Sequence, residues 1–194
     1  MKIKYLLLVT ALSASFSTLA ASPNWDFVEL GYASVDIDDI SEVSPAGISL
    51  GASKLLGENI FLVGSYSKLS DDYQGVDLDL DQSSLGVGYR YGVTDSTDLY
   101  AVVSYEYLKA KASSGGSSVD EDDSGAGLTA GVRSRLSSSF EVDASIAYID
   151  IGDDSETTFG VGVNYYFTEH FAAGVSYTSS DALNTIGASL RYAF

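Results

Sequence analysis

The sequence contains no cysteine, only two prolines and a single histidine among its 194 residues. Without cysteine, a secreted chain has neither disulfides nor a lipid attached through a cysteine. Beyond the N-terminal segment there is no run of about eighteen apolar residues, which excludes a transmembrane helix there. Basic residues are also scarce, since ten Lys and Arg stand against 27 Asp and Glu. The resulting net charge of −17 excludes nucleic-acid binding through the phosphates.

The N-terminus has the three parts of a secretory signal peptide. Two lysines open the chain, an apolar run follows over residues 5–12, and Ala20 and Ala21 supply small residues for cleavage. The apolar run is too short to span a bilayer as a helix. We therefore expect residues 1–21 to be a cleaved signal peptide and residues 22–194 to be a single domain.

The rest of the chain alternates between large apolar residues and small or polar ones with a period of two. In the stretch from Ser84 to Tyr91, for example, Leu, Val and Tyr alternate with Ser, Gly and Arg. Such alternation indicates β-strands with one apolar face, and no stretch has the period of a helix. The pattern predicts ten strands, at residues 24–38, 46–56, 59–70, 79–93, 98–112, 125–137, 139–151, 156–168, 170–181 and 184–194. The first and third have an unclear phase.

The predicted connections alternate between short and long. The short turns lie at residues 57–59, 94–98, 137–139 and 168–170, and the longer connections at 37–45, 71–79, 113–124, 151–156 and 180–183. Short periplasmic turns and longer outer loops are typical of bacterial outer-membrane barrels. The sequence therefore predicts an all-β, antiparallel up-and-down transmembrane β-barrel in the outer membrane. We expect ten strands, with eight as the alternative, and both termini in the periplasm.

A soluble β-sandwich is the competing interpretation, because its strands also alternate. The wet face of a sandwich would carry many Lys and Glu, whereas the less apolar face here is rich in Gly, Ser and Thr. The apolar segments also end in aromatic residues, at Tyr91, Tyr107, Phe140, Tyr148, Phe167, Phe171, Tyr177 and Tyr192. Aromatic residues at both ends of an apolar band fit two membrane interfaces, which favours the barrel.

The C-terminal strand gives an independent indication of the outer membrane. Phe194 is preceded by Ile186, Ala188, Leu190 and Tyr192, each two residues apart. This pattern resembles the C-terminal signal that the outer-membrane barrel assembly machinery reads. We therefore expect that machinery to be a partner of the chain, with outer-membrane lipid and lipopolysaccharide as its surroundings.

Three stretches resemble small bacterial outer-membrane proteins of the outer-membrane β-barrel, or porin, family. They are FVELGYASVDID, DLDLDQSSLGVGYRYGVTDSTDLYAVVSYEY and GVGVNYYFTEHFAAGVSYTSSD. Within that family the chain is most similar to a ten-stranded subgroup associated with diffusible-signal regulation. The subgroup has no well-established catalytic residues, so the resemblance implies no catalytic site and no cofactor.

The single histidine argues against an enzyme. Barrel enzymes have sites on or near the outer loops and usually need a His beside a nucleophile or a carboxylate. His170 falls on a predicted periplasmic turn, away from those loops. We therefore expect no enzymatic activity.

The strand phase places a set of charged residues on the lumen side of the barrel. They are Glu29, Arg90, Glu106, Arg133, Arg135, Glu141, Asp143 and Arg191. Charges in a narrow lumen must be paired, because desolvation of an unpaired charge is costly. One interpretation is a salt-bridge network that plugs the barrel. The other is a charged constriction in a water-filled channel.

The long connections hold most of the acidic residues. These are Asp36, Asp38, Asp39, Glu42, Asp71, Asp72, Asp77, Asp79, Asp81, Asp120, Glu121, Asp122, Asp123, Asp150, Asp153, Asp154, Glu156 and Asp181. They predict a solvated outer surface with loose binding of divalent cations, because hard cations prefer carboxylates. No metal site is assigned, since no twelve-residue EF-hand loop is present. Two functions follow: a structural or surface-interaction barrel, and alternatively a narrow, cation-favouring channel for small solutes.

Overall fold

The computed structural model describes residues 22–37, 44–73, 75–181 and 183–194. The expected signal peptide at residues 1–21 lies outside the described residues, as do residues 38–43 of the first outer connection. No helix in the described ranges is long and apolar enough to cross a membrane.

The described chain forms ten β-strands. They are β1 (Phe27–Ile37), β2 (Ala46–Leu56), β3 (Ile60–Tyr73), β4 (Val76–Thr94), β5 (Thr97–Ser114), β6 (Ser117–Arg135), β7 (Phe140–Ile151), β8 (Asp154–Tyr166), β9 (Phe171–Ser179) and β10 (Leu183–Ala193). Each strand pairs antiparallel with its neighbours in the sequence, and β1 pairs with β10 to close the barrel. The prediction of a ten-stranded up-and-down barrel is confirmed, and the alternative of eight strands is wrong.

Large apolar side chains cover the outside of the barrel. On β4, for example, Leu85, Val87 and Tyr89 are each more than half exposed, while Gly86 and Gly88 between them are buried. A soluble domain would bury these apolar side chains instead. The alternation therefore produces a lipid-facing outer surface and an interior of small and charged residues.

The outer hairpins are longer and more regular than the sequence predicted. The connection expected at residues 113–124 is wrong, because β5 continues to Ser114 and β6 begins at Ser117. Gly115 and Gly116 join them with positive φ angles of 57° and 87°, the backbone that a tight two-residue hairpin turn requires.

Three other expected long connections are also wrong in length. The connection expected at 71–79 shrinks to two residues between Tyr73 and Val76, and the one at 151–156 shrinks to two between Ile151 and Asp154. The one at 180–183 comprises the three residues between β9 and β10. The strands extend beyond the lipid-facing band, where outward positions carry charged residues instead of large apolar ones. Most of the acidic residues assigned to loops therefore lie on strand extensions.

The start of the first predicted strand is also wrong. Residues 22–26 do not pair as a strand but cross the periplasmic end of the barrel, where Ser22 Oγ donates a hydrogen bond to the carbonyl oxygen of Asp95 (3.1 Å). Asp26 then fixes this segment to β2, because its Oδ1 accepts a hydrogen bond from the Leu55 amide at 2.7 Å. The segment brings an aromatic side chain into the lumen.

Candidate functional site: a plug of charged and aromatic residues in the lumen

A cluster of side chains from the segment before β1 and from six strands meets in the periplasmic half of the lumen. We call it the lumen plug, and it consists of Trp25, Phe27, Phe61, Tyr100, Arg133, Glu141 and Arg191. Apart from Tyr100, each of these residues is less than a tenth exposed. The plug therefore occupies the place where a channel would need open space.

Trp25 lies at the centre of the plug. Its ring centre is 4.3 Å from that of Phe61 on β3 and 5.3 Å from that of Tyr100 on β5. The indole Nε1 donates a hydrogen bond to Asp98 Oδ2 at 2.7 Å, which satisfies the one polar atom of the side chain. The only tryptophan of the sequence is thus held by packing and by a charge-assisted hydrogen bond.

Arg133 of β6 spans the lumen between aromatic rings and carboxylates. The guanidinium carbon is 4.3 Å from the centre of the Trp25 ring and 5.2 Å from that of Phe27 on β1. Its Nε lies 3.8 Å from Glu141 Oε1 and 3.9 Å from Asp143 Oδ2. These contacts fix the cation by stacking on one side and by ion pairing on the other.

Arg191 of β10 forms the tightest ion pairs of the interior. Its Nε is 2.7 Å from Glu29 Oε2 and its Nη1 is 2.8 Å from Glu141 Oε1. The Phe27 ring packs against the same guanidinium at 4.1 Å. Because Glu141 is fully buried, its charge is compensated by the two arginines that face it.

Five of the eight lumen charges proposed from the sequence therefore lie in one network. Glu29, Arg133, Glu141, Asp143 and Arg191 are connected through the ion pairs described above. Tyr100 joins them, since its hydroxyl donates a hydrogen bond to Asp143 Oδ2 at 3.0 Å.

The other three proposed lumen charges lie apart from this network. Arg90 pairs with Asp98 at 3.0 Å. Arg135 stacks on Tyr166, with its guanidinium carbon 3.8 Å from the ring centre. Glu106 accepts hydrogen bonds from serine hydroxyls. The carboxylate of Glu106 is buried, and its Oε1 lies 2.8 Å from Ser84 Oγ and 2.6 Å from Ser104 Oγ.

The strand phase did not identify Asp98 and Trp25 as site residues. Asp98 is nearly fully buried and accepts hydrogen bonds from both Trp25 and Arg90. The sequence contained one signal for it, because Asp98 lies two residues before the lumen-facing Tyr100 on the same face of β5. Trp25 gave a weaker signal, as it lies in the stretch whose phase was unclear.

The plug separates two cavities in the lumen. One, of about 220 Å³, lies beside Trp25 and reaches Glu106, and the other, of about 170 Å³, lies beside Asn164 and Arg191. Arg133 borders both cavities. Arg133 and the groups that hold it therefore lie between the two cavities.

The outer end of the barrel is strongly acidic. Asp77, Asp79 and Asp81 lie on the extension of β4, and the run from Asp120 to Asp123 lies on that of β6. Lys109 of β5 pairs with Asp120 at 3.1 Å, and this hydrogen bond raises the pKa of Lys109 above its ordinary value. Among the residues that the structure describes, no group of three or more His, Cys, Asp or Glu side chains is arranged to hold a metal ion.

The remaining residues singled out in the sequence lie at the periplasmic end or on the outer surface. His170 lies in the turn between β8 and β9, where its Nδ1 is 2.9 Å from the Ala193 carbonyl oxygen, as the sequence predicted for its position. Four of the alternating C-terminal residues face outwards on β10, and these are Ile186, Ala188, Leu190 and Tyr192. Phe194 follows directly after β10 and is also exposed. The Phe194 amide donates to the Asp26 carbonyl oxygen at 3.0 Å.

A family model described as the outer membrane protein beta-barrel domain matches residues 5–167. The chain belongs to this family. Membership places the protein in the bacterial outer membrane and agrees with the lipid-facing surface described above. A search of curated proteins gives no match.

Two solved structures have a similar fold. One is Ail, the attachment invasion locus protein of Yersinia pestis, solved in complex with the heparin analogue sucrose octasulfate. It is 21% identical, the match covers 86% of this chain and 97% of that chain, and the TM-score is 0.51. The beta domain of the Bordetella autotransporter Brka is 13% identical, with 89% and 100% covered and a TM-score of 0.54. At these identities the likeness shows the fold alone.

Proposed function

We propose that this protein is a closed, non-enzymatic barrel that acts as a structural and surface-interaction protein of the outer membrane. The observation that carries the proposal is Arg133, which reaches into the lumen to stack on Trp25 and lies beside Glu141 and Asp143 of the neighbouring strand β7. A conducting barrel would need a continuous water-filled path at this level. Breaking a buried pair by removal of one partner is costly, which keeps such a plug in place.

The outer hairpins are the part of the molecule available to partners. Their carboxylates support loose bridging by divalent cations to anionic lipopolysaccharide, the partner expected from the sequence. The outward-facing C-terminal strand supports recognition by the barrel assembly machinery. The ten-strand count supports membership of the subgroup associated with diffusible-signal regulation.

A narrow, cation-favouring channel is the second candidate function. The acidic outer end favours it, because a ring of carboxylates raises the local concentration of cations. It requires the lumen plug to move as a unit. The two functions therefore differ in one measurable property, the conductance of the wild-type barrel.

The test is single-channel recording of the refolded barrel in a planar bilayer. We expect no conductance from the wild-type protein. We expect brief openings in the double variant that combines Trp25→Ala with Arg133→Ala, because it removes the centre of the plug. Glu106→Ala is the matched control, because Glu106 lies in the lumen beside the plug and makes no contact across it. Steady conductance of the wild-type protein that Arg133→Ala alters would contradict the closed barrel and establish the channel.

A further inference from the structure

A further pocket lies at the outer end of the barrel, away from the lumen plug and its two cavities. It is a pocket of about 400 Å³ formed largely by the extensions of β4, β5 and β6. We call it the outer pocket, and its apolar lining includes Leu78, Leu80, Ala110 and Val119. Pockets of this volume and apolar character are typical binding sites for small ligands.

The alternation of the strands explains why this pocket is apolar in an otherwise acidic region. On β4 the outward phase of Leu85 and Val87 places Asp79 and Asp81 outside, and Leu78 and Leu80 on the inner face. A hairpin surrounded by water on both faces has no reason to carry leucine on one of them. The inner face is therefore suited to contact with an apolar group.

The same phase places Glu121 among these apolar residues, while Asp79 and Lys111 line the pocket from the neighbouring strands. On β6, the outward position of Leu128 puts Val119 and Glu121 on the inner face and Asp120 and Asp122 on the outer face. Glu121 lies opposite Ala110 in the ladder and lines the outer pocket.

The charge around the pocket determines which end group a ligand would carry. The lining itself carries Asp79 and Glu121 against Lys111. The strands around it add Asp77, Asp81, Asp120, Asp122 and Asp123 against Lys109. One of these lysines is already paired, because Lys109 binds Asp120. The excess negative charge repels an anionic ligand and attracts a cationic one.

We infer that the outer pocket binds a cationic amphiphile, with its alkyl or aromatic part against Leu78, Leu80 and Val119 and its cationic group beside Glu121. This site is separate from the lumen plug, so the inference holds whether or not the barrel conducts. It gives the acidic outer hairpins a specific small-molecule ligand in addition to their bulk charge.

The probe that tests this is n-octyltrimethylammonium, with n-octyl sulfate and n-octanol as ligands of equal chain length. The full barrel is reconstituted in lipid nanodiscs with labelled alanine methyl groups, and each ligand is titrated by NMR. The Ala110 and Ala112 methyl signals report binding at the site, which partition into the lipid does not mimic. We expect saturable shifts with n-octyltrimethylammonium, at least tenfold weaker binding of n-octyl sulfate, and n-octanol between them.

Two matched substitutions separate the pocket from general surface charge. Glu121→Gln should weaken n-octyltrimethylammonium binding about two- to fivefold, the range of a partly exposed ion pair. Asp122→Asn removes the same charge from the outer face of the same strand and should change the affinity by less than twofold. Equal losses in the two variants would overturn the site, because the cation would then be responding to net charge alone.

A third variant tests the cavity itself. Ala110→Trp fills the outer pocket and should abolish the saturable shift of Ala112, while the heat-dependent gel mobility of the barrel shows that it is folded. Lengthening the alkyl chain by one methylene in the wild-type protein should strengthen binding about fourfold while the pocket has space. The inference is wrong if wild-type Ala110 and Ala112 do not shift with n-octyltrimethylammonium, or if n-octyl sulfate binds as tightly.

Discussion

Asp98 holds together two side chains in the lumen, the Trp25 indole and the Arg90 guanidinium. Its Oδ2 accepts hydrogen bonds from Trp25 Nε1 at 2.7 Å and from Arg90 Nη1 at 3.0 Å. Asp98 itself is nearly fully buried, so it relies on these donors for the compensation of its charge. The position of the only tryptophan therefore depends on one carboxylate.

Asp98→Ala should release Trp25 and leave the Arg90 guanidinium without its carboxylate. We expect a loss of about 3 kcal/mol in unfolding free energy, the scale measured when one partner of a buried pair is removed. Because Trp25 is the sole tryptophan, its fluorescence reports the change directly, with a red-shifted emission and stronger quenching by acrylamide. Asp95→Ala, in the neighbouring turn, should leave both signals unchanged, and an unshifted emission in Asp98→Ala would contradict the role assigned to Asp98.

At the scale of single strands, a glycine on β4 makes room for an aromatic ring on β3. A Cβ atom at Gly88 would collide with the ring of Phe61, which is buried against Trp25. Glycine at this position lets the Phe61 ring lie flat on the neighbouring strand and reach the lumen plug. The packing of the plug thus depends on the absence of a side chain at Gly88 as well as on the aromatic rings of Trp25 and Phe61.

Gly88→Ala should therefore push Phe61 towards Trp25 and destabilise the barrel by about 1–3 kcal/mol, the usual cost of overpacking. The readout is the urea midpoint of the gel-mobility shift together with the Trp25 emission. Gly162→Ala is the matched control, because a Cβ atom there meets its nearest neighbour, the Val175 carbonyl oxygen, at 3.8 Å. If the two variants lose the same stability, the close approach of Phe61 is not the cause.

The strands also show which parts of this fold a sequence can predict. β2 was predicted with its observed bounds, Ala46–Leu56, because lipid on one side and small residues on the other enforce a strict alternation. The phase of β3 was unclear for a physical reason. Phe61 and Val63 face an aromatic plug, so β3 is apolar on both faces at this end. The local sequence pattern of β3 cannot reveal the contact between Phe61 and Trp25, because Trp25 is distant in the sequence.

The limits of the candidate site follow from the same argument. The alternation of apolar and polar residues along the strands identified Arg133 and Arg191 as interior charges, since a lipid-facing arginine would be costly. The pairing of Arg191 with Glu141 could not be predicted, because β10 and β7 are not neighbours and approach each other only across the lumen of the closed barrel. The extension of β6 over residues 117–124 was missed because its run of serine and acidic residues resembles a solvated loop.

At the scale of the whole molecule, the barrel depends on the junction between its first and last strands. β10 lies against β1 in an unbroken register from Phe27 opposite Ala193 to Ile37 opposite Leu183. Phe194 extends this junction through the hydrogen bond to Asp26 and through stacking on Tyr192, with ring centres 6.2 Å apart. The C-terminal aromatic residue therefore has a structural contact in addition to its proposed recognition.

Phe194→Ala separates these two roles. We expect a small loss of stability in the refolded protein, below about 1 kcal/mol, because the Phe194 side chain is half exposed in the structure and its backbone hydrogen bond is retained. In cells we expect a severalfold lower amount in the outer-membrane fraction, measured by fractionation and heat-dependent gel mobility. Leu85→Ala, on the lipid-facing side of β4, is the control for lost apolar surface, and equal amounts of both variants would argue against an assembly signal.

The junction of β1 with β10 also sets the order of events during folding. These two strands come from opposite ends of the domain, so their ladder carries the largest loop-closure entropy of any strand pair in the barrel. The hairpins between them are local and form at little entropic cost, whereas the final seam has to wait until β10 has been synthesised and delivered. Until then β1 and β10 are two open edges able to pair with other chains. Protection of these edges in transit is therefore a demand that the closed architecture places on the cell.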